Sequence, residues 1–185
     1  MIDANELRKG TTFLLDGELY EVLEYQHYKP GRGNAIIRTK IRNMRTGSTI
    51  PRNFLDGHRF EEAFVERISA QYLYNDGDAY YFMDTETYEQ HRIQATLLGR
   101  KAGFLKDSME VALTVYGNEV LGVELPPTVE LEVVDAEMAV IGDTATGATK
   151  TVVTETGLEV QVPLFVEVGD VIRVDTEEGE YQTRV

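Results

Sequence analysis

Ala35-Ile36-Ile37-Arg38-Thr39-Lys40-Ile41 sets Ile37, Thr39 and Ile41 against Ile36, Arg38 and Lys40. A period of two with β-branched residues on one side marks a strand with one buried and one wet face. The same composition surrounds it, beginning with Leu19-Tyr20-Glu21-Val22-Leu23-Glu24-Tyr25. Further runs follow at Ala79–Met83, Val111–Tyr116, Val120–Leu125, Val129–Val134, Leu158–Val162 and Val171–Val174. Turn residues separate them at Asp16-Gly17, Asn75-Asp76-Gly77, Tyr116-Gly117-Asn118 and Glu178-Gly179. Helical signal is thin: about two turns at Gly57–Phe64 and a short stretch at Arg100–Asp107. The chain is therefore expected to be mainly β.

So many short strands in 185 residues point to several small barrels in series rather than one. One boundary is expected near Phe64-Val65, and another at Leu125-Pro126-Pro127-Thr128, where two prolines interrupt the strand pattern. The expected domains are 1–64, 65–127 and 128–185, each small enough to gain from packing on a neighbour.

The formal net charge is −14, from 18 Lys and Arg against 32 Asp and Glu, which argues at first against a nucleic-acid partner. The charge is uneven. Residues 1–64 carry 10 bases and 9 acids, 65–127 carry 5 and 10, and 128–185 carry 3 and 13. No acid occurs between Glu24 and Asp56, a window holding Lys29, Arg32, Arg38, Lys40, Arg42, Arg45 and Arg52. A solvated strand face would account for such a cluster, and so would contact with a polyanion.

Other chemistry finds little support. No apolar run approaches the roughly 20 residues of a membrane span. The opening Met1-Ile2-Asp3-Ala4-Asn5-Glu6 does not read as a secretory signal, so a cytoplasmic location is expected. With no cysteine there is no thiol nucleophile or thiolate metal site, and His27, His58 and His91 lack metal-ligand spacing. Asp175–Glu180 reads as a hairpin turn rather than a calcium loop. No catalytic grouping is readable, and neither an enzyme nor a cofactor is expected.

The acid-free window contains Tyr25-Gln26-His27-Tyr28-Lys29-Pro30-Gly31-Arg32-Gly33-Asn34-Ala35 between two strand runs. Pro30 fixes φ while Gly31 and Gly33 permit positive φ, so the chain can reverse around Arg32. Arms of about seven residues would hold this tip on the order of 20 Å from the barrel. Arg32 there is either an ordinary turn residue or a guanidinium delivered into a polyanionic crevice, with Arg38, Lys40 and Arg42 as backbone contacts.

Lys29-Pro30-Gly31-Arg32-Gly33-Asn34-Ala35 resembles the tip loop of the bacterial elongation factor P family. Lys150-Thr151-Val152 and Gly157-Leu158-Glu159-Val160-Gln161-Val162-Pro163-Leu164-Phe165-Val166-Glu167-Val168-Gly169 resemble that family's C-terminal signature. Gly142-Asp143-Thr144 and Gly179-Glu180-Tyr181 with Arg184-Val185 resemble further motifs of the same domain. The resemblance implies an SH3-like (KOW-like) barrel followed by two OB folds, L-shaped overall. It implies a monomer that binds the ribosome, through 23S and 16S rRNA, beside peptidyl-tRNA. There it would stimulate peptidyl transfer and relieve stalling at consecutive prolines in protein biosynthesis.

By the same resemblance, Arg32 approaches the CCA end within a loop shaped by Lys29, Pro30, Gly31, Gly33 and Asn34. Gly142, Asp143 and Thr144 face the exit-site codon, and Tyr181 and Arg184 contact RNA. Many members carry a modified lysine at the tip, whereas arginine here excludes lysine chemistry. Within the family an arginine-tipped branch carries rhamnose and other arginine-tipped members work unmodified, so the resemblance leaves both open for Arg32: rhamnosylation by an arginine-modifying glycosyltransferase, or a bare arginine. Two other classes stay open on the residues alone: an OB-fold single-stranded RNA module acting off the ribosome, and an acidic protein-binding adaptor.

Overall fold

The computed structural model describes residues 1–138 and 148–185. Two compact units emerge, one of Met1–Glu66 with Val115–Leu121, the other of Arg67–Thr114 with Gly122–Val185.

The first unit holds β1 (Ile2–Asp3), β2 (Thr12–Leu15), β3 (Glu18–Tyr28), β4 (Ile36–Asn43), β5 (Thr49–Leu55) and β6 (Arg59–Glu62), in the sheet order β1-β6-β2-β3-β4-β5. Asp16 (φ 52°) and Gly17 (φ 79°) both take positive φ, the geometry of a two-residue type I′ hairpin, and pair Leu15 with Glu18. The core gathers Phe13, Phe54 and Phe60 with Val22, Ile37 and Ile41. Phe60 lies 4.8 Å from Phe13 and 4.7 Å from Phe54, centroid to centroid.

That aromatic cluster overturns the helix expected at Gly57–Phe64. Phe60 must point inward while Arg59 and Glu61 face water, which needs a period of two, and β6 pairs with both β1 and β2.

The projecting arm is also shorter than the sequence suggests. β5 pairs with β4 all the way from Arg42↔Thr49 to Ile36↔Leu55, so the arm is three strands wide. Only the loop 29–35 extends past it, anchored where the Asp56 N–H donates to the Ala35 carbonyl at 3.0 Å.

The second sheet contains β7 (Glu66–Asn75), β8 (Ala79–Asp84), β9 (Gln90–Gln94), β10 (Glu110–Tyr116) and β11 (Glu119–Glu124), in the order β11-β10-β7-β8-β9. The tip of its β10–β11 hairpin belongs to the first unit. Leu121 is buried there with Leu19 and Ala63, and Arg45 makes a two-pronged contact with Glu119 at 3.0 and 3.1 Å. The helical signal at Arg100–Asp107 is a short α-helix, α1 (Ala95–Leu98), running into a 3₁₀ turn at Gly99–Phe104.

The third sheet comprises β12 (Thr128–Ala136), β13 (Thr149–Thr154), β14 (Glu159–Pro163), β15 (Val171–Asp175) and β16 (Tyr181–Arg184), ordered β14-β13-β12-β15-β16. Its core of Leu131, Val133, Val152, Val162, Ile172 and Val174 also receives Phe104 from the 3₁₀ turn. Asp175 closes the β15–β16 hairpin by accepting from the backbone N–H groups of Glu177 and Glu178, each at 2.8 Å. Among the described residues, no helix is long and apolar enough to cross a membrane.

Candidate nucleic-acid interface

Pairing on both sides of β4 decides what its side chains do. Ile37, Thr39 and Ile41 are buried, and Arg38, Lys40 and Arg42 share the opposite, exposed face. Directly across from these three bases lie Gln26, Glu24 and Glu21 on β3 and Asn53, Pro51 and Thr49 on β5. One row further out, Tyr28, Ile36 and Leu55 form a cross-strand triplet.

The bases on this unit are not equivalent. Arg42 is held by Glu21 at 2.5 Å, and Arg45 by Glu119 at 3.0 Å with Glu18 at 3.9 Å. The Glu119 hydrogen bond and charge raise the Arg45 pKa above its ordinary value. By contrast, Lys29, Arg32, Arg38, Lys40 and Arg52 make no ion pair with any described residue. Between Glu24 and Asp56, the unpaired bases therefore lie towards the loop, and the neutralised ones at the far end of β4 and in the turn beyond it. Two aromatic rings on β3 carry cations as well: the Arg38 guanidinium stands 4.5 Å from the Tyr28 centroid and that of Arg8 5.1 Å from Tyr25.

In the loop itself, Lys29, Gly31, Arg32, Gly33 and Asn34 are exposed and Pro30 is half-buried. Gly33 has φ 105°, a conformation that side chains rarely adopt, so it makes the reversal after Arg32. Gly31 has no such φ, and a Cβ there would meet nothing within 4 Å, so its conformation does not require glycine.

Tyr181 is half-buried against the third core, and Arg184 is exposed. Arg184 is held 3.6 Å from Asp170 and 5.1 Å over the Phe165 ring. Gly142, Asp143 and Thr144 lie outside the described residues. The loop bases, Arg38 and Lys40 thus share one end of the first unit. Residues that sequence reasoning left without a role there are Arg8, Tyr28, Gln26 and Asn53. The outward parity of Asn53 could have been read from alternation, but that of Gln26 could not, because it lies beyond a register shift in β3.

Residues 3–64 match the family description "Elongation factor P (EF-P) KOW-like domain", 65–123 "Elongation factor P (EF-P) OB domain", and 129–184 "Elongation factor P, C-terminal". Elongation factor P of Moorella thermoacetica is 52% identical over 184 residues, covering 100% of both chains. That of Acetivibrio thermocellus is 49% identical over 185 residues, again covering 100% of both, and that of a Synechococcus species 48% over 181, covering 98% of each. Among solved structures, translation initiation factor 5A of Methanococcus jannaschii superposes with a TM-score of 0.52 at 21% identity. It covers 66% of this chain and 94% of its own, a likeness of fold. With three domain descriptions matched in series and full-length relatives near half identity, the chain belongs to the elongation factor P family.

Proposed function

We propose that the chain is a cytoplasmic translation elongation factor that binds the ribosome beside peptidyl-tRNA and speeds peptide-bond formation at consecutive prolines. One observation carries this reading: an exposed, unpaired Arg32 on a short loop that extends a face bearing the unpaired bases Arg38 and Lys40. Proline is a constrained secondary amine, and its acceptor and donor forms reach attack geometry poorly. A protein that supplies no acid or base still accelerates the reaction by confining the peptidyl-tRNA end to a productive pose. Arg32 has five N–H donors in a fixed fork for backbone oxygens of the CCA end. Lys29, Arg38 and Lys40 neutralise phosphates behind it without reading sequence.

The three-strand base of the arm supports this role, since a loop must be held still to restrict anything else. Gly142, Asp143 and Thr144 would meet the exit-site codon, while Tyr181 and Arg184 would support or contact RNA. Arg32 is also the position where a glycosyltransferase would add a deoxyhexose. The intact mass of protein from its native host reports whether it does.

The test is translation of a reporter containing several successive prolines, with wild type, Arg32→Ala and Arg32→Lys. Rescue by Arg32→Ala equal to wild type sinks the tip mechanism. Ribosome pelleting compared with a gel shift on free RNA separates this reading from an autonomous OB-fold RNA module. The proposal requires pelleting together with weak binding to free RNA.

A further inference from the structure

Beside the tip loop, on the outward face of β3, β4 and β5, lies a shallow depression of about 720 Å³. Glu24, Gln26, Arg38, Lys40, Pro51 and Asn53 are among the residues that line it. The adjoining row is the triplet Tyr28–Ile36–Leu55, in which Tyr28 is 42% and Leu55 60% exposed. Arg38 joins the two, lining the depression and stacking on Tyr28.

The chemistry of this surface is specific. Tyr28 and the Arg38 guanidinium offer a planar stack bordered by two aliphatic side chains. Gln26 and Asn53 add carboxamides that both donate and accept. Arg38 and Lys40 supply positive charge, against the single acid Glu24. Successive rows on a strand face are about 7 Å apart, so a planar group on one row and an anion on the next can belong to a single nucleotide. An acidic peptide would use the cations and the amides but not the stack.

We infer that the Tyr28–Arg38 stack and the depression beside it form a binding site for one unpaired nucleotide, behind the residue that reaches the RNA terminus. The site rests on the reading proposed above and names a further contact within it. Arg32 is four positions along the chain from Tyr28, at most about 14 Å, so the nucleotide lies in or next to the CCA end. Stacking tolerates any base, because every base has a flat face.

The experiment places a fluorescent base analogue at each CCA position of ribosome-bound peptidyl-tRNA in turn. Quenching is then titrated with the full-length wild type, Tyr28→Phe, Tyr28→Val and Asn53→Phe, each checked for an unchanged melting curve. Wild type and Tyr28→Phe quench one position alike, since the ring suffices. Tyr28→Val loses the quench and binds at least about fivefold more weakly. Asn53→Phe fills the depression without touching Tyr28 and provides an independent arm if Tyr28→Val melts early; it too weakens the quench. Wild-type protein that pellets with ribosomes yet quenches no position overturns the site and leaves the proposed function standing. So does equal quenching by Tyr28→Val and wild type. Failure of wild type to pellet at all overturns the proposed function itself.

Discussion

Two exposed tyrosine sites, on different sheets, differ in their electrostatics. Tyr28 on β3 is 42% exposed with the Arg38 guanidinium 4.5 Å from its ring centroid. Tyr74 on β7 is 52% exposed and stacks on Tyr81 at 4.6 Å and 16°, with the Tyr81 hydroxyl donating to Asp76 at 3.0 Å. Geometrically, either could serve as a platform for a base. The difference is the charge left over at the ring: the Arg38 cation over Tyr28 has no ion-pair partner among the described residues and attracts phosphate, whereas at Tyr81 the Asp76 carboxylate and the cross-strand Arg92 offset one another. Aromatic exposure on a small β domain is thus no guide to RNA binding until the neighbouring ion is named.

Reversing the charge at the first site is the strongest way to break this comparison. Arg38→Glu makes the Tyr28 site acidic, and ribosome affinity measured by pelleting is expected to fall about tenfold or more, the loss of a charged hydrogen-bonding group. Lys40→Gln removes one charge and leaves the stack intact. The slope of log affinity against log salt is expected to fall by about 0.7, with all sequences affected alike. At the second site, a double-mutant cycle of Tyr74→Ala and Tyr81→Ala should return a coupling of about 1 kcal/mol in urea unfolding, while ribosome pelleting is unaffected.

The smallest effect is one of pH. Asp76 has its pKa lowered, first by the Ala79 backbone N–H and then by the Tyr81 hydroxyl. A carboxylate with a depressed folded pKa contributes stability that is present above its unfolded value of about 3.8 and lost as pH falls through the folded one. Asp76→Asn should therefore flatten the wild-type decline in stability below pH about 4 and leave the gap between the two proteins constant above it. A gap that widened with acidity would show that Asp76 does not anchor the turn.

Much of this contrast was written in alternation. Ile37, Thr39 and Ile41 announce the buried face of β4, so the exposure of Arg38 and Lys40 follows from the pleat alone. Tyr28 was not readable in the same way. A register shift between Val22 and Glu24 alters which β3 residues share a face, and it depends on pairing rather than on local preference. The same device operates on β7, where a shift between Tyr72 and Tyr74 buries the first ring and exposes the second. Counting aromatics in Tyr72, Tyr74, Tyr80, Tyr81 and Phe82 predicts that some are core; for Tyr72 and Tyr74, only the bulge says which. At Gly57–Phe64, the Arg-Phe-Glu-Glu run has no intrinsic strand character, and the waiting rings of Phe13 and Phe54 decide the outcome.

The flanking of β4 by β5 has a mechanical consequence. A two-stranded ribbon carrying a charge at its end is a flexible whisker whose end wanders by an amount that grows with its length. With the third strand hydrogen-bonded as far as Leu55, the bending length shrinks to the loop 29–35. The instrument is a short stylus on a stiff mount, and its accuracy is set by seven residues.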